Sequence, residues 1–290
     1  MTISRLGSNT NDSGSGNLSF SHTLVAGSDR KVVVFVGFEN DGDRTPSATY
    51  GGETMTEGAG CKTGASDLLN GAYVFYIDEV DLPANGANTV AVTFSGGASQ
   101  FEAVALCAEF GGVASGIEDS DSTCEGSPGN DTIETTGFSG AADDLFCSAY
   151  TSGQEGSNWT YGQSQNELLD SELSSSRHGF TDLINGSIST LEATFVSGAN
   201  RLGAAAVHFI TSAVEAELEQ EGFRWRNDDD DEADATWRQN QDVDDEIARE
   251  INIRLRTLLN ATGDPDSQQY ELQYKETSDG AGEWRKVPLA

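Results

Sequence analysis

The chain has 290 residues, of which 36% are hydrophobic, with 33 Gly against 5 Pro; at roughly 100–200 residues per domain, this reads as two domains with many tight turns. It carries 48 acidic and 16 basic residues, a net charge of −32, so it repels phosphate on average and direct nucleic-acid binding is excluded as its main role. It has no run of about 18 apolar residues that would cross a membrane as a helix, and the polar, Gly/Ser-rich Met1–Asn17 does not read as a signal peptide.

Residues 18–212 read as strands separated by Gly, Asn and Asp turns. The strands expected are Lys31–Phe38, Ala72–Asp78, Thr89–Phe94, Phe101–Phe110, Leu145–Tyr150, Thr190–Val196 and Gly203–Ile210. All are rich in Val, Phe, Tyr, Ile and Thr, and breaks such as Asn85-Gly86 and Asn185-Gly186 punctuate them. A repeat runs through this region. Lys31–Val36, Thr49-Tyr50-Gly51, Val92–Gly96 and Ala105–Phe110 recur as Asp144–Ala149, Thr160-Tyr161-Gly162, Ala193–Gly198 and Ala205–Phe209, and Cys147 falls at the place of Val34. Two copies suit two related halves of one sandwich, each supplying strands to both sheets.

Val214–Glu221 reads as a linker or as the first edge of the second domain. Gly222–Asn227, Ile251–Arg256 and Tyr270–Lys275 alternate as half-buried strands do. Phe223, Trp225, Ile253, Leu255, Tyr270, Leu272, Tyr274 and Trp284 would make one apolar layer. One short helix between Trp237 and Glu250 is compatible with the pattern. The fold class expected is all-β: a jelly-roll-like β-sandwich over 1–212 with two related halves, then a small immunoglobulin-like β-sandwich over 213–290.

Charge points to habitat. The acids spread over both domains, 27 acids to 7 bases over residues 1–212 and 21 to 9 over 213–290, and only Lys31, Lys62, Lys275 and Lys286 are lysines. Self-repulsion of this size is screened when the Debye length falls to about 3 Å in molar salt, so the pattern reads as that of a halophile, the alternative being an ordinary acidic secreted or marine protein.

Candidate chemistry is sparse. None of the four cysteines sits in a C-x-x-C pair that would bind zinc. Cys107 and Cys147 lie in apolar runs and read as core; Cys61 and Cys124 lie in Gly-rich turn segments, where pairing stays open. His208 reads as a packed core residue. His178 follows Ser174-Ser175-Ser176-Arg177, but no G-x-S-x-G elbow supports a Ser–His nucleophile, and no catalytic residue is assigned. The acidic segments Asn40–Asp43, Glu118–Asp121, Asp228–Asp231 and Asp264–Asp266 offer oxygen ligands for Ca²⁺, with Asp228, Asp230, Asp264 and Asp266 as the metal candidates, although solvated loop is the simpler reading. Arg224/Arg226 and Arg254/Arg256 are the local basic features, read as paired within the domain or as a docking surface for an acidic partner.

Two segments carry a family resemblance. Glu221–Asp229, Ala235-Thr236-Trp237, Arg254-Leu255-Arg256, Asn260–Pro265, Gln269–Lys275 and Trp284–Pro288 resemble an immunoglobulin-like module common in structural proteins of tailed phages. Ser21-His22-Thr23, Val32–Val36, Thr49–Gly52, Val74–Ile77 and Val92–Gly96 are similar to a jelly-roll-like module of phage and secreted proteins. The resemblance implies a non-enzymatic head or tail surface protein, of decoration, turret or fibre type. It would act as a homo-oligomer with other virion proteins, without membrane insertion, and reach the outside by lysis. The alternative is a carbohydrate-binding module of a receptor-binding or secreted protein, with a host-surface glycan as partner.

Overall fold

A computed structural model describes the chain outside residues 1, 41, 64–68, 97–100, 127–130, 157, 185–186, 196–200, 213–216, 230–233, 235, 247–251, 263–272, 275–284 and 287–290. The described residues form strands, turns and one 3-10 turn, Glu79–Asp81, with no α-helix among them. The all-β expectation therefore holds. The chain divides into two compact units, Met1–Ala213 and Val214–Ala290.

The first half of unit 1 contains β1 (Ser4–Gly14), β2 (Leu18–Leu24), β3 (Lys31–Asn40), β4 (Thr45–Tyr50), β5 (Glu53–Thr54), β6 (Thr56–Thr63), β7 (Leu69–Asp78), β8 (Gly86–Ser95) and β9 (Phe101–Gly111). They form a five-stranded sheet, β1-β9-β3-β7-β6, and a four-stranded sheet, β2-β8-β4-β5. The second half contains β10 (Asp119–Glu125), β11 (Thr132–Thr136), β12 (Leu145–Ser152), β13 (Trp159–Tyr161), β14 (Asn166–Glu172), β15 (Arg177–Ile184), β16 (Thr190–Phe195) and β17 (Leu202–Phe209). Its sheets run β10-β17-β12-β15-β14 and β11-β16-β13. The two halves thus have the same strand order. In each, first and last strands pair and the next pairs nest inside them (β1–β9, β2–β8, β3–β7; β10–β17, β11–β16, β12–β15). That nesting is the wrap of a jelly-roll-like sandwich, with β6 and β14 moved to the outer edge of the five-stranded sheets.

The repeat expected from sequence is therefore present, but each half builds its own pair of sheets instead of sharing two. The two five-stranded sheets pack face to face. Their common core contains Val33 and Phe35 from β3, Val74 from β7, Leu106 and Phe110 from β9, Leu145 and Cys147 from β12, Phe180 from β15, and Val207 and Phe209 from β17. Phe35 stacks on Phe180 across this interface with ring centroids 5.7 Å apart. The alternate residues of the same strands, among them Val32, Val34, Val36, Tyr73, Phe75, Ala105 and Cys107, face the four-stranded sheet. Tyr150, Leu202 and Ala204 likewise face β11, β13 and β16. Strands buried on both faces need apolar residues at every position, which is why β3, β7, β9, β12 and β17 read as continuous hydrophobic runs. Register also corrects the repeat by one residue. Cys147 pairs with Val207 as Val33 pairs with Ala108, so Cys147 occupies the place of Val33, on the face between the sheets.

The cysteine reading divides. Cys107 and Cys147 are buried free thiols, pushed well above the ordinary thiol range by burial. Cys61 and Cys124 lie on edge strands β6 and β10, not in turns, and form a disulfide with Cα atoms 5.9 Å apart. A Cβ on Gly203 would come within 2.9 Å of the Cys124 sulfur, so a glycine is needed beneath this cross-link.

In unit 2, β18 (Glu217–Asn227) and β19 (Ile253–Thr262) form an antiparallel ladder, and β20 (Gln273–Tyr274) pairs with β21 (Arg285–Lys286). The acidic Glu217–Glu221 belongs to β18, so this stretch is an edge of the second unit. Residues 237–246 are turn and extended chain, without the allowed helix. Phe223, Trp225, Ile253 and Leu255 are half-buried, and Phe223 meets Trp225 edge to face at 6.2 Å. Of the remaining members of the expected apolar layer, Tyr274 is in β20, while Tyr270, Leu272 and Trp284 lie outside the described residues.

Candidate functional site: an arginine–tryptophan groove

In unit 1, polar chemistry joins the two halves. Lys31 is fully buried; its ammonium lies 2.7 Å from the Asp78 carboxylate, donates to the Gly116 carbonyl and sits 4.4 Å from the centre of the Phe209 ring. Burial lowers the Lys31 pKa against the opposing pull of Asp78. Glu39 of β3 pairs with Arg201 of the second half and accepts a 3.0 Å hydrogen bond from Ser175 Oγ. Glu102 of β9 accepts from both Ser174 and Ser175. Arg5 of β1 donates to Asp182 of β15 at 2.9 Å.

The Ser–His pair weighed from sequence exists but is sealed. His178 Nε2 is 2.9 Å from Ser176 Oγ, and Nδ1 is 2.9 Å from Thr151 Oγ1. Ser176, His178 and Thr151 are all fully buried. Burial pushes the imidazole down to about 3, so it is neutral near pH 7. The ring lies on Gly37 of the other half, whose added Cβ would meet Nδ1 at 2.5 Å. A hydroxyl stands where a catalytic triad has its orienting carboxylate, so the arrangement is a packing contact between the halves. His208 is also a core residue as expected. Its Nε2 lies 2.9 Å from Asp144 and its ring stacks on Phe146 at 4.4 Å.

The four metal candidates do not assemble among the described residues. Asp228 pairs with Arg254 at 2.6 Å, and Asp230, Asp264 and Asp266 lie outside the described residues. Among those described, no group of three or more His, Cys, Asp or Glu side chains could hold a metal ion. Asp119 and Asp121, read as loop ligands, are in β10, where Asp121 accepts from the Thr136 amide at 2.7 Å. In the acidic turn after β18, Asp229 accepts from the amide and hydroxyl of Thr236, and these bonds lower its pKa.

Unit 2 holds an open site. β18 and β19 are registered so that Arg224 faces Arg256 and Arg226 faces Arg254. Cross-strand partners point to the same face, so four of the chain's 12 arginines share one side of a two-stranded ladder. Residues 236–242 run back along β18. The Asn227 amide donates to the Thr236 carbonyl at 3.0 Å, the Arg238 amide to the Trp225 carbonyl at 3.0 Å, and the Asp242 amide to the Phe223 carbonyl at 2.9 Å. This return places Trp237 over the arginine face, its ring centre 4.2 Å from the Arg224 guanidinium and 4.6 Å from that of Arg226. Arg224 also donates to the Gln239 carbonyl at 2.9 Å, which fixes its end of the stack. A groove of about 280 Å³ lies here, lined by Phe223, Arg224, Trp237, Gln241, Arg256, Thr257 and Leu258. Trp237 is 41% exposed and Leu258 49% exposed. Sequence alternation marks the arginine face, but nothing local places Trp237 on it, because that contact depends on the return of residues 236–242.

Comparison of the chain with protein-family models, with curated proteins and with solved structures gives no match.

Proposed function

We propose that the chain is a non-enzymatic structural protein on the head or tail surface of a tailed virus with a halophilic host, acting by assembly and by adhesion through unit 2. The observation that supports this most is the seam of unit 1. Lys31, Glu39, Glu102, Arg201 and His178 are buried or bonded between two sandwiches of one topology, and a disulfide ties their edges. Such a block is a stiff frame for display. Unit 2, an immunoglobulin-like module in this reading, carries the open groove. The protein works as a homo-oligomer with other virion proteins, since symmetry multiplies weak surface contacts.

Deletion of residues 214–290 tests the division of labour. The truncated chain should remain a folded β protein and lose incorporation into particles; normal incorporation would place the docking end in unit 1. The second reading, a carbohydrate-binding module of a receptor-binding or secreted protein, is favoured by the exposed Trp237. A glycan array at high salt, read together with particle composition, separates the two: glycan binding by a chain absent from particles would select the second.

A further inference from the structure

We propose that Lys31 and Asp78 condense into an intramolecular isopeptide bond, an autocatalytic modification that cross-links β3 to β7. The two residues are direct cross-strand partners in the register of these strands. Lys31 is fully buried, and its Nζ lies 2.7 Å from Asp78 Oδ1. Oδ1 is itself buried and meets no aligned hydrogen-bond donor, so the nitrogen stands against the carboxyl group off the line of a hydrogen bond. A plain ion pair would use that oxygen as an acceptor. This pair instead holds a nucleophile in contact with a carboxyl group, the proximity that speeds an intramolecular reaction.

The surroundings supply the rest of the chemistry. Asp78 Oδ2 accepts from the Gly116 amide at 2.9 Å and from the Ser115 hydroxyl at 3.0 Å. Two donors on one oxygen form an oxyanion hole, which holds the negative charge that gathers on Oδ2 when an amine adds to Cγ. The Gly116 carbonyl accepts from Lys31 Nζ. One glycine, at φ +77°, thus turns its amide to the carboxyl group and its carbonyl to the amine. The Phe209 and Tyr76 rings, centred 4.4 and 4.9 Å from Nζ, keep water from the amide once it has formed. Burial lowers the Lys31 pKa, which favours the neutral, nucleophilic amine. Burial raises that of Asp78, but its contacts with Lys31 and Gly116 outweigh this and leave it lowered. A proton passing from Nζ to Oδ1 within the pair gives the reactive amine and acid. The nitrogen then adds to Cγ, a second proton moves from nitrogen to Oδ1, and the Cγ–Oδ1 bond breaks. Oδ1 leaves as water, and the new amide keeps one N–H, which donates to the Gly116 carbonyl. One positive and one negative charge vanish together, and the step consumes no other reactant.

The reaction is the chain's own and does not require that it belong to a particle. The test is mass spectrometry of the full chain, reduced and denatured after storage in molar NaCl. The chain should be lighter than its sequence by one water, and a protease digest should contain a branched peptide joining Lys31 to Asp78. Lys31→Met and Asp78→Ala should each keep that water. Ser115 is exposed, so Ser115→Ala should keep the wild-type circular dichroism and melting profile while gaining the cross-link at least about tenfold more slowly. A stored wild-type chain of full sequence mass, a water lost at any other pair of residues, or a loss reversed by hydroxylamine, as for a succinimide, would each overturn the proposal. An equal rate in Ser115→Ala would overturn the part assigned to Oδ2.

Discussion

His178 and Gly37 show how one residue pair can hold two sandwiches together. The ring needs the space that Gly37 leaves, and its two nitrogens need the hydroxyls of Ser176 and Thr151. Gly37→Ala should therefore cost about 2 kcal/mol through overpacking, read as a lower urea midpoint with an unchanged slope. The titration of His178 gives a second check. Its folded pKa of about 3 lies below the unfolded value of about 6.5, so the unfolded state binds the extra proton. The stability from a neutral His178 is complete above about pH 6.5 and is lost as pH falls toward 3. Between these limits wild-type stability should fall faster with acid than that of His178→Gln, by up to about 1.4 kcal/mol per pH unit. Equal slopes would mean that the imidazole is not held neutral in the fold. At this scale the sequence was only half legible. Ser176 and His178 stand two residues apart in plain view, but their seal comes from a strand about 140 positions away, which no local pattern carries.

At the scale of elements, legibility follows burial. Central strands β3, β7, β9, β12 and β17 lie between two cores, and their apolar runs announced them. Edge strands did not. β1, with the sequence SRLGSNTNDSG, is largely exposed and broken by a register shift between Leu6 and Thr10, so neither alternation nor hydrophobicity marks it. β6 and β10 carry the composition of turns around Cys61 and Cys124 for the same reason, and the pairing of these two cysteines is visible only where the two edges meet. This disulfide joins positions 63 residues apart, and a loop of that length corresponds to about 4 kcal/mol of chain entropy. Reduction, or the Cys61→Ser/Cys124→Ser double variant, should lower the stability of the full chain by an amount of that order. Alkylation of the unfolded, unreduced chain should label two thiols, those of Cys107 and Cys147; four labelled thiols would show that the edges are not linked. The unit 2 groove was legible only as an arginine alternation, because its aromatic member arrives from the return of residues 236–242.

For the whole molecule, charge dominates. Folding gathers the acids behind a net charge of −32 into two compact units, and many small repulsions between exposed acids add up within each in dilute salt. Salt screens them, so the melting temperature should rise steeply from low salt to about 1 M NaCl, more than for a near-neutral sandwich of equal size. A flat dependence would remove the halophile reading. If the acidic turns of unit 2 bind Ca²⁺, a chelator will lower the melting temperature even in molar NaCl, where general screening is complete. The proposed role requires the chain to be part of a particle surface. The most direct measurement is quantitative mass spectrometry of gradient-purified particles from the culture that produces the chain, with heads and tails separated. The account predicts that the chain co-purifies with one of the two fractions at a fixed ratio to its main structural protein and is accessible to protease or antibody on intact particles. Its absence from particles, or recovery only with the soluble proteins of lysed cells, would contradict it.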